Sequence, residues 1–212
     1  HPEEYAFNEG RIVSNRGLDI DASEFEEHSV EQHVKHSNAL HSVMRERGSY
    51  HVGPLARFNL NYAQLTPEAR RAAEEVNLQP PVLNPFRSII ARAVELVFAC
   101  EEAIRIIESY EPPPAPRVEV RPRPGTGMAA TEAPRGLLYH RYSVDENGLI
   151  TAARIVPPTA QNFRRMEEDL WSYVPRLLDL DNYQIAWRAE QAVRNYDPCI
   201  SCATHFLKVR RD

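Results

Sequence analysis

Asp197-Pro198-Cys199-Ile200-Ser201-Cys202-Ala203-Thr204-His205, close to the C-terminus, is the most informative stretch of this 212-residue chain. Two cysteines three positions apart, with a histidine three further on, can converge on one centre where the chain turns or enters a helix. Pro198 fixes φ just before the first cysteine and halts a preceding helix. Thiolates are soft ligands that suit nickel, zinc, copper(I) or iron–sulfur centres, and imidazole accompanies several of these. A structural zinc site needs four ligands, and this stretch offers Cys199, Cys202 and His205. A thioredoxin-like dithiol belongs at a helix start after a strand, whereas this pair follows a helical pattern. The chain has three cysteines in all, which speaks against a disulfide scaffold and for metal or redox chemistry.

Composition narrows the setting. With 25 Lys+Arg against 30 Asp+Glu the formal charge is −5, which gives no electrostatic reason to expect a nucleic-acid partner. A 42% apolar content supports a packed core, and the length fits a single domain over residues 1–212. No apolar run approaches the roughly 20 residues that span a bilayer, and no basic-then-apolar leader opens the sequence. A cytoplasmic protein without a membrane segment is expected. The chain starts at His1 without an initiator Met, so a processed product or a piece of a longer polypeptide is expected.

Upstream, the pattern is mostly helical. Tyr5 to Ile20, broken at Glu9-Gly10 and Arg16-Gly17, reads as short strands. Asp21 or Ser23 caps an acidic first turn that leads a helix toward Val34. His33, His36 and His41 follow in a polar stretch and read as solvated or capping residues. Thr66-Pro67-Glu68 starts a helix that fades at Asn77. Asn84-Pro85 opens the strongest helix, to about Tyr110, with Phe86, Ile89, Ile90, Ala93, Val94, Val97, Cys100, Ile104 and Ile107 at three- and four-residue steps. Cys100 falls on that stripe and reads as a core thiol. The prolines of 111–116 form a stiff connector, and Arg121 to Gly127 reads as a loop. Gly136 to Val156 reads as a β-hairpin turning at Asp145–Gly148. Helices follow from near Thr159, which is a candidate N-cap, and from Leu180-Asp181.

The full string around Cys199 and Cys202 resembles the C-terminal signature of the large, catalytic subunit of nickel–iron hydrogenases. Glu132-Ala133-Pro134-Arg135-Gly136 resembles that family's Pro-Arg-Gly loop, and Val156-Pro157-Pro158-Thr159-Ala160-Gln161-Asn162 its Pro-Ser/Thr-x-x-Asn segment. Glu9-Gly10-Arg11-Ile12-Val13-Ser14 and Val52-Gly53-Pro54-Leu55-Ala56-Arg57 match weaker stretches, so the resemblance runs in order along the chain. It implies a mainly α, multihelical fold with a few short strands and a β-hairpin, corresponding to that large subunit truncated at its N-terminus.

The resemblance also implies a chemistry: reversible heterolytic cleavage of H2 into protons and electrons at a Ni–Fe centre whose iron carries CO and cyanide. Cys199 matches the terminal nickel ligand, which is also a candidate proton acceptor, and Cys202 the ligand bridging to iron. Arg135 matches a cation over the open metal position, Thr159 a hydroxyl that donates to cyanide, and Pro134 lies beside them. His205 matches a magnesium ligand, with the carbonyl of Ile155 as a weaker one. His205 also marks a maturation cleavage site, so the tail 206–212 is expected to be removed. The family's second cysteine pair has no counterpart here, so the isolated chain is expected to hold no assembled centre and to be inactive. Implied partners are an iron–sulfur small subunit, NAD(P)-linked diaphorase subunits, a maturation endopeptidase and nickel-insertion proteins. With its tail uncut, the chain itself is expected to be able to form a homodimer. Two other readings stand beside this one. One is a non-catalytic zinc-binding structural or interaction module built on the same cysteines and histidine. The other is a relative in the quinone-reducing respiratory complex, against which the retained cysteines speak.

Overall fold

The computed structural model describes residues 3–199. Cys202, His205 and the tail 206–212 lie outside the described residues, and with them the ligand, cleavage and dimerisation expectations they carried.

Of the short strands expected over Tyr5 to Ile20, those after Gly10 form: β1 (Ile12–Val13) pairs antiparallel with β2 (Asp19–Ile20), while Tyr5 and Phe7 lie in irregular chain. Asp21 then caps a 3-10 turn over Ala22–Glu24, in a capping box completed by the Glu24 carboxylate accepting from the Asp21 amide at 2.7 Å. The helix expected to run toward Val34 ends after one turn, α1 (Phe25–His28). The chain instead enters β3 (Ser29–His33), paired with β4 (Leu40–Met44). Cross-strand contacts outweigh local helix preference here. The Ser29 and Ser42 hydroxyls bond each other at 2.9 Å inside the protein, and Ser42 also bonds Tyr50 Oη. His41, expected in a solvated role, is buried on β4 and stacks on Phe163 with ring centroids 5.3 Å apart. Burial holds its pKa below the usual imidazole value.

Three helices make the first core. α2 (Pro54–Asn61), α3 (Pro67–Glu75) and α4 (Ser88–Glu108) enclose Leu55, Phe58, Leu65, Ala69, Leu78 and Phe98. Thr66 sits at the N-cap of α3, yet its hydroxyl bonds Glu101 of α4 and not the backbone. The long apolar stripe of α4 is corrected by the packing. Ala91, Val94 and Phe98 face the core, while Ile89, Ile104 and Ile107 are exposed, and so is Cys100. An apolar helix carries more than one apolar face, and periodicity alone does not say which face meets α2 and α3.

The second core lies under a three-stranded antiparallel sheet of β5 (Gly125–Ala133), β6 (Gly136–Val144) and β7 (Ile150–Val156). It joins Ile20, Phe25, Met44, Tyr139 and Val156. The β6–β7 hairpin matches expectation. The loop expected over Arg121–Gly127 is half wrong, because Gly125–Gly127 pair with Val144–Tyr142. The outer end of β5 is exposed and carries two glycines, which hides the alternation that marks a strand. α5 (Pro158–Tyr173) packs across β4, and α6 (Asn182–Arg194), capped by the Asp181 carboxylate, returns the chain to α5. Six α-helices and three small antiparallel sheets thus make up the described residues. None of these helices is long and apolar enough to cross a membrane.

Candidate metal centre

Asp197 ends the passage out of α6 with φ of 50°, a left-handed conformation that Asp tolerates better than most residues. This redirects the chain so that Pro198 and Cys199 run toward the start of α5. The Cys199 amide donates to Thr159 Oγ1 at 3.1 Å. Thr159 is buried at 2% exposure. Pro157, and not Thr159, holds the N-cap of α5, so the capping role expected for Thr159 does not apply; its hydroxyl serves the cysteine segment.

Arg135 reaches the same segment as well. Pro134 and Arg135 are the two residues between β5 and β6. Arg135 Nε donates to the Asp197 carbonyl at 2.6 Å, and lies 3.2 Å from the Asp197 carboxylate. Arg92 of α4 approaches that carboxylate at 4.0 Å. Arg135 is therefore tied to the residue two before Cys199, in a half-buried ion pair.

The turn that carries Arg135 is fitted closely. A Cβ on Gly53 would stand 2.6 Å from the Arg135 carbonyl oxygen, and one on Gly136 2.5 Å from Val52 Cγ2. Asn162 of α5 holds the adjacent Val52 by both backbone groups, accepting its amide at 2.8 Å and donating to its carbonyl at 3.0 Å. Gln161 donates to the carbonyls of Leu137 and Val156, binding β6 and β7 to α5. His51 stacks on Tyr196 with centroids 4.8 Å apart, and burial drives its pKa down to about 4.

The structure thus brings together Arg135, Thr159 and Cys199, with exposed Pro134 beside them. Ile155 sits on edge strand β7 opposite His140, its side chain half-exposed. Sequence reasoning assigned no role to Arg57, Arg92, Asn162 or Asp197. For Asn162 and Arg57 a signal was present: each is a polar residue inside a family-like stretch, where a buried polar group must have partners.

The model of the nickel-dependent hydrogenase family matches residues 28–205. The chain belongs to the nickel-dependent hydrogenase family. It is 34% identical over 200 residues to sulfhydrogenase 1 subunit alpha of Pyrococcus furiosus, covering 93% of this chain and 46% of that protein. It is 33% identical over 185 residues to the beta subunit of the NAD-reducing hydrogenase HoxS of Cupriavidus necator, covering 79% and 36%. The crystal structure of an NAD+-reducing [NiFe]-hydrogenase in the H2-reduced state superposes with a TM-score of 0.77 at 25% identity, covering 95% of this chain and 48% of that one. The Ni-Fe-Se hydrogenase from Desulfomicrobium baculatum shares the fold, with a TM-score of 0.60. The chain therefore spans about half the length of the hydrogenase subunits it matches or less.

The family's nickel centre can be tested against the residues in place. A cysteine whose amide is fixed, a permanent cation and a buried hydroxyl lie within one constellation. Cys199 supplies one soft sulfur donor, of the kind that suits nickel rather than a hard, oxygen-liganded ion, and no group of three His, Cys, Asp or Glu side chains that could hold a metal forms among the described residues.

Proposed function

We propose that this chain is the C-terminal part of the catalytic subunit of a nickel–iron hydrogenase. The observation that carries the reading is the convergence of Cys199, Thr159 and the Arg135–Asp197 pair, contributed by three separate segments of the chain. Cys199 and Cys202 would hold the nickel–iron centre, whose iron would carry CO and cyanide, and His205 with the Ile155 carbonyl would hold magnesium. The bound centre supplies heterolytic cleavage of H2 into protons and electrons. The chain's own groups do the rest. Cys199 would hold the metal and take up a proton at Sγ. Arg135 presents fixed donors and a permanent charge beside the site. Thr159 holds the Cys199 amide from a buried position.

Four thiolates complete the family's nickel site, and Cys100 is exposed on α4, so this chain alone is expected to be inactive. Electrons would leave through an iron–sulfur small subunit and, in an NAD(P)-linked assembly, diaphorase subunits. A nickel-insertion system and an endopeptidase cutting after His205 would mature the site in the cytoplasm. The full-length protein with its small subunit tests this directly. One nickel per catalytic subunit, with iron in excess of nickel because of the small subunit's clusters, together with H2-dependent dye reduction is expected; stoichiometric zinc without nickel would instead return the zinc-module reading.

A further inference from the structure

Arg57 is the most heavily bonded side chain in the described residues that the site has not yet used. It lies on α2, 7% exposed, one turn after Gly53. Its guanidinium pairs bidentately with Glu95 of α4 at 2.8 and 2.7 Å, and with Glu132 of β5 at 2.6 Å. The remaining donors reach two successive carbonyls, Ala133 at 2.8 Å and Pro134 at 3.0 Å. Tyr5 Oη donates to the same Glu95 at 2.8 Å. These two carbonyls immediately precede Arg135.

A buried ion cluster is a poor device for stability alone, since well-packed apolar residues of similar volume serve as well or better. What a planar guanidinium adds is direction, because its donors diverge in a fixed fork that a lysine cannot reproduce. α2 grips the turn twice, through Gly53 against the Arg135 carbonyl and through Arg57 on the carbonyls before it. We infer that Arg57 is a positioning residue: by holding the Ala133 and Pro134 carbonyls it sets the direction in which Arg135 leaves the β5–β6 turn to meet Asp197. Its catalytic consequence rests on the hydrogenase reading; its structural content does not.

The test follows the Arg135 guanidinium itself. In the full-length protein with isotope-labelled arginine, the Arg135 Nε–H resonance is assigned by its loss in Arg135→Lys. It is expected downfield and slow to exchange, as a proton bonded to the Asp197 carbonyl. Arg57→Lys should move it toward the solvated position and speed its exchange. Glu26→Gln, which breaks the separate cluster of Glu26 with Arg141 and Arg154, should lower stability and leave the resonance in place. The triple variant Arg57→Met with Glu95→Gln and Glu132→Gln removes the cation and the charge of both its carboxylate partners at similar volume, so it decides the matter where Arg57→Lys does not fold; it too should shift the resonance. An unchanged Arg135 signal in whichever of the Arg57 variants folds overturns the inference. H2 oxidation is measured alongside. A parent protein without turnover defeats the hydrogenase reading, and the resonance comparison still decides the role of Arg57.

Discussion

The backbone amide of Cys199 is held by the hydroxyl of Thr159 at 3.1 Å, across 40 residues of chain. Removing that hydroxyl while keeping the shape tests how far the cysteine segment depends on it. Thr159→Val leaves the Cys199 N–H without this acceptor at a partly buried site. We expect a loss of about 1 kcal/mol in stability, read by urea unfolding. Nickel retention in the full-length protein should fall as well, because the first thiolate loses its anchor. Unchanged nickel content and an unchanged unfolding midpoint would make the contact incidental.

The cysteines themselves should separate cleanly. Cys199→Ser or Cys202→Ser replaces a soft thiolate with a hard, neutral donor and should abolish nickel retention and H2 oxidation together. Cys100 is exposed on α4, so Cys100→Ser should leave both intact and shift stability by no more than about 0.5 kcal/mol. Metal analysis and dye-reduction assays on the three variants give the answer.

Arg135→Lys keeps the charge and loses the fork that reaches both the carbonyl and the carboxylate of Asp197. Metals should be retained while turnover drops roughly 100-fold, the scale associated with removing one fixed donor from a developing charge. Normal turnover in a metal-replete variant would reduce the pair to an ordinary ion pair.

Much of this arrangement was legible before any coordinates. Pro67, Pro85 and Asp181 announce helix starts by local chemistry, and Asp145 announces the hairpin turn, whose amides at Asn147 and Leu149 it accepts. Local signals survive because they are satisfied within a few residues. The β3–β4 pair was missed because its stabilising contacts, Ser29 to Ser42 and Tyr50, are tertiary. The fate of Cys100 was missed for a related reason: its position on a helix is local, but the face that meets α2 and α3 is not. In the site, the motif residues Arg135, Thr159 and Cys199 were named from pattern. The residues that join them, Asp197, Asn162 and Arg57, act through backbone groups of distant segments, which no spacing reveals.

His51 gives the pH dependence a sign. Burial pushes its folded-state pKa down to about 4, against an ordinary imidazole value of about 6.5. Between those values the unfolded chain binds the extra proton, so stability rises with pH from about 4 to 6.5 and levels off above. His51→Phe keeps a ring to stack on Tyr196 and removes the titration. The drop in urea midpoint between pH 7 and pH 5 should therefore be smaller in His51→Phe than in the parent. An equal drop in both would assign the acid sensitivity to other groups, such as the carboxylates paired with arginine.

Gly53 offers the sharpest test of how the Arg135 turn is seated. Its φ of 112° lies where side chains are strained, and a Cβ there would stand 2.6 Å from the Arg135 carbonyl oxygen, which is backbone and cannot swing aside. Gly17 is the natural control. Its φ is also positive, at 78°, but nothing lies within 4 Å of an added Cβ. Gly17→Ala should cost the backbone strain alone, about 1 kcal/mol. Gly53→Ala should cost that strain plus the displacement of the turn, about 2–4 kcal/mol in total. The displacement also predicts a functional signature. Because the carbonyl that must move belongs to Arg135, a folded Gly53→Ala protein should lose turnover along with stability, whereas Gly17→Ala should keep it. Equal destabilisation by the two substitutions, with turnover kept in both, would show that the close approach of Gly53 to Arg135 places no constraint on the site.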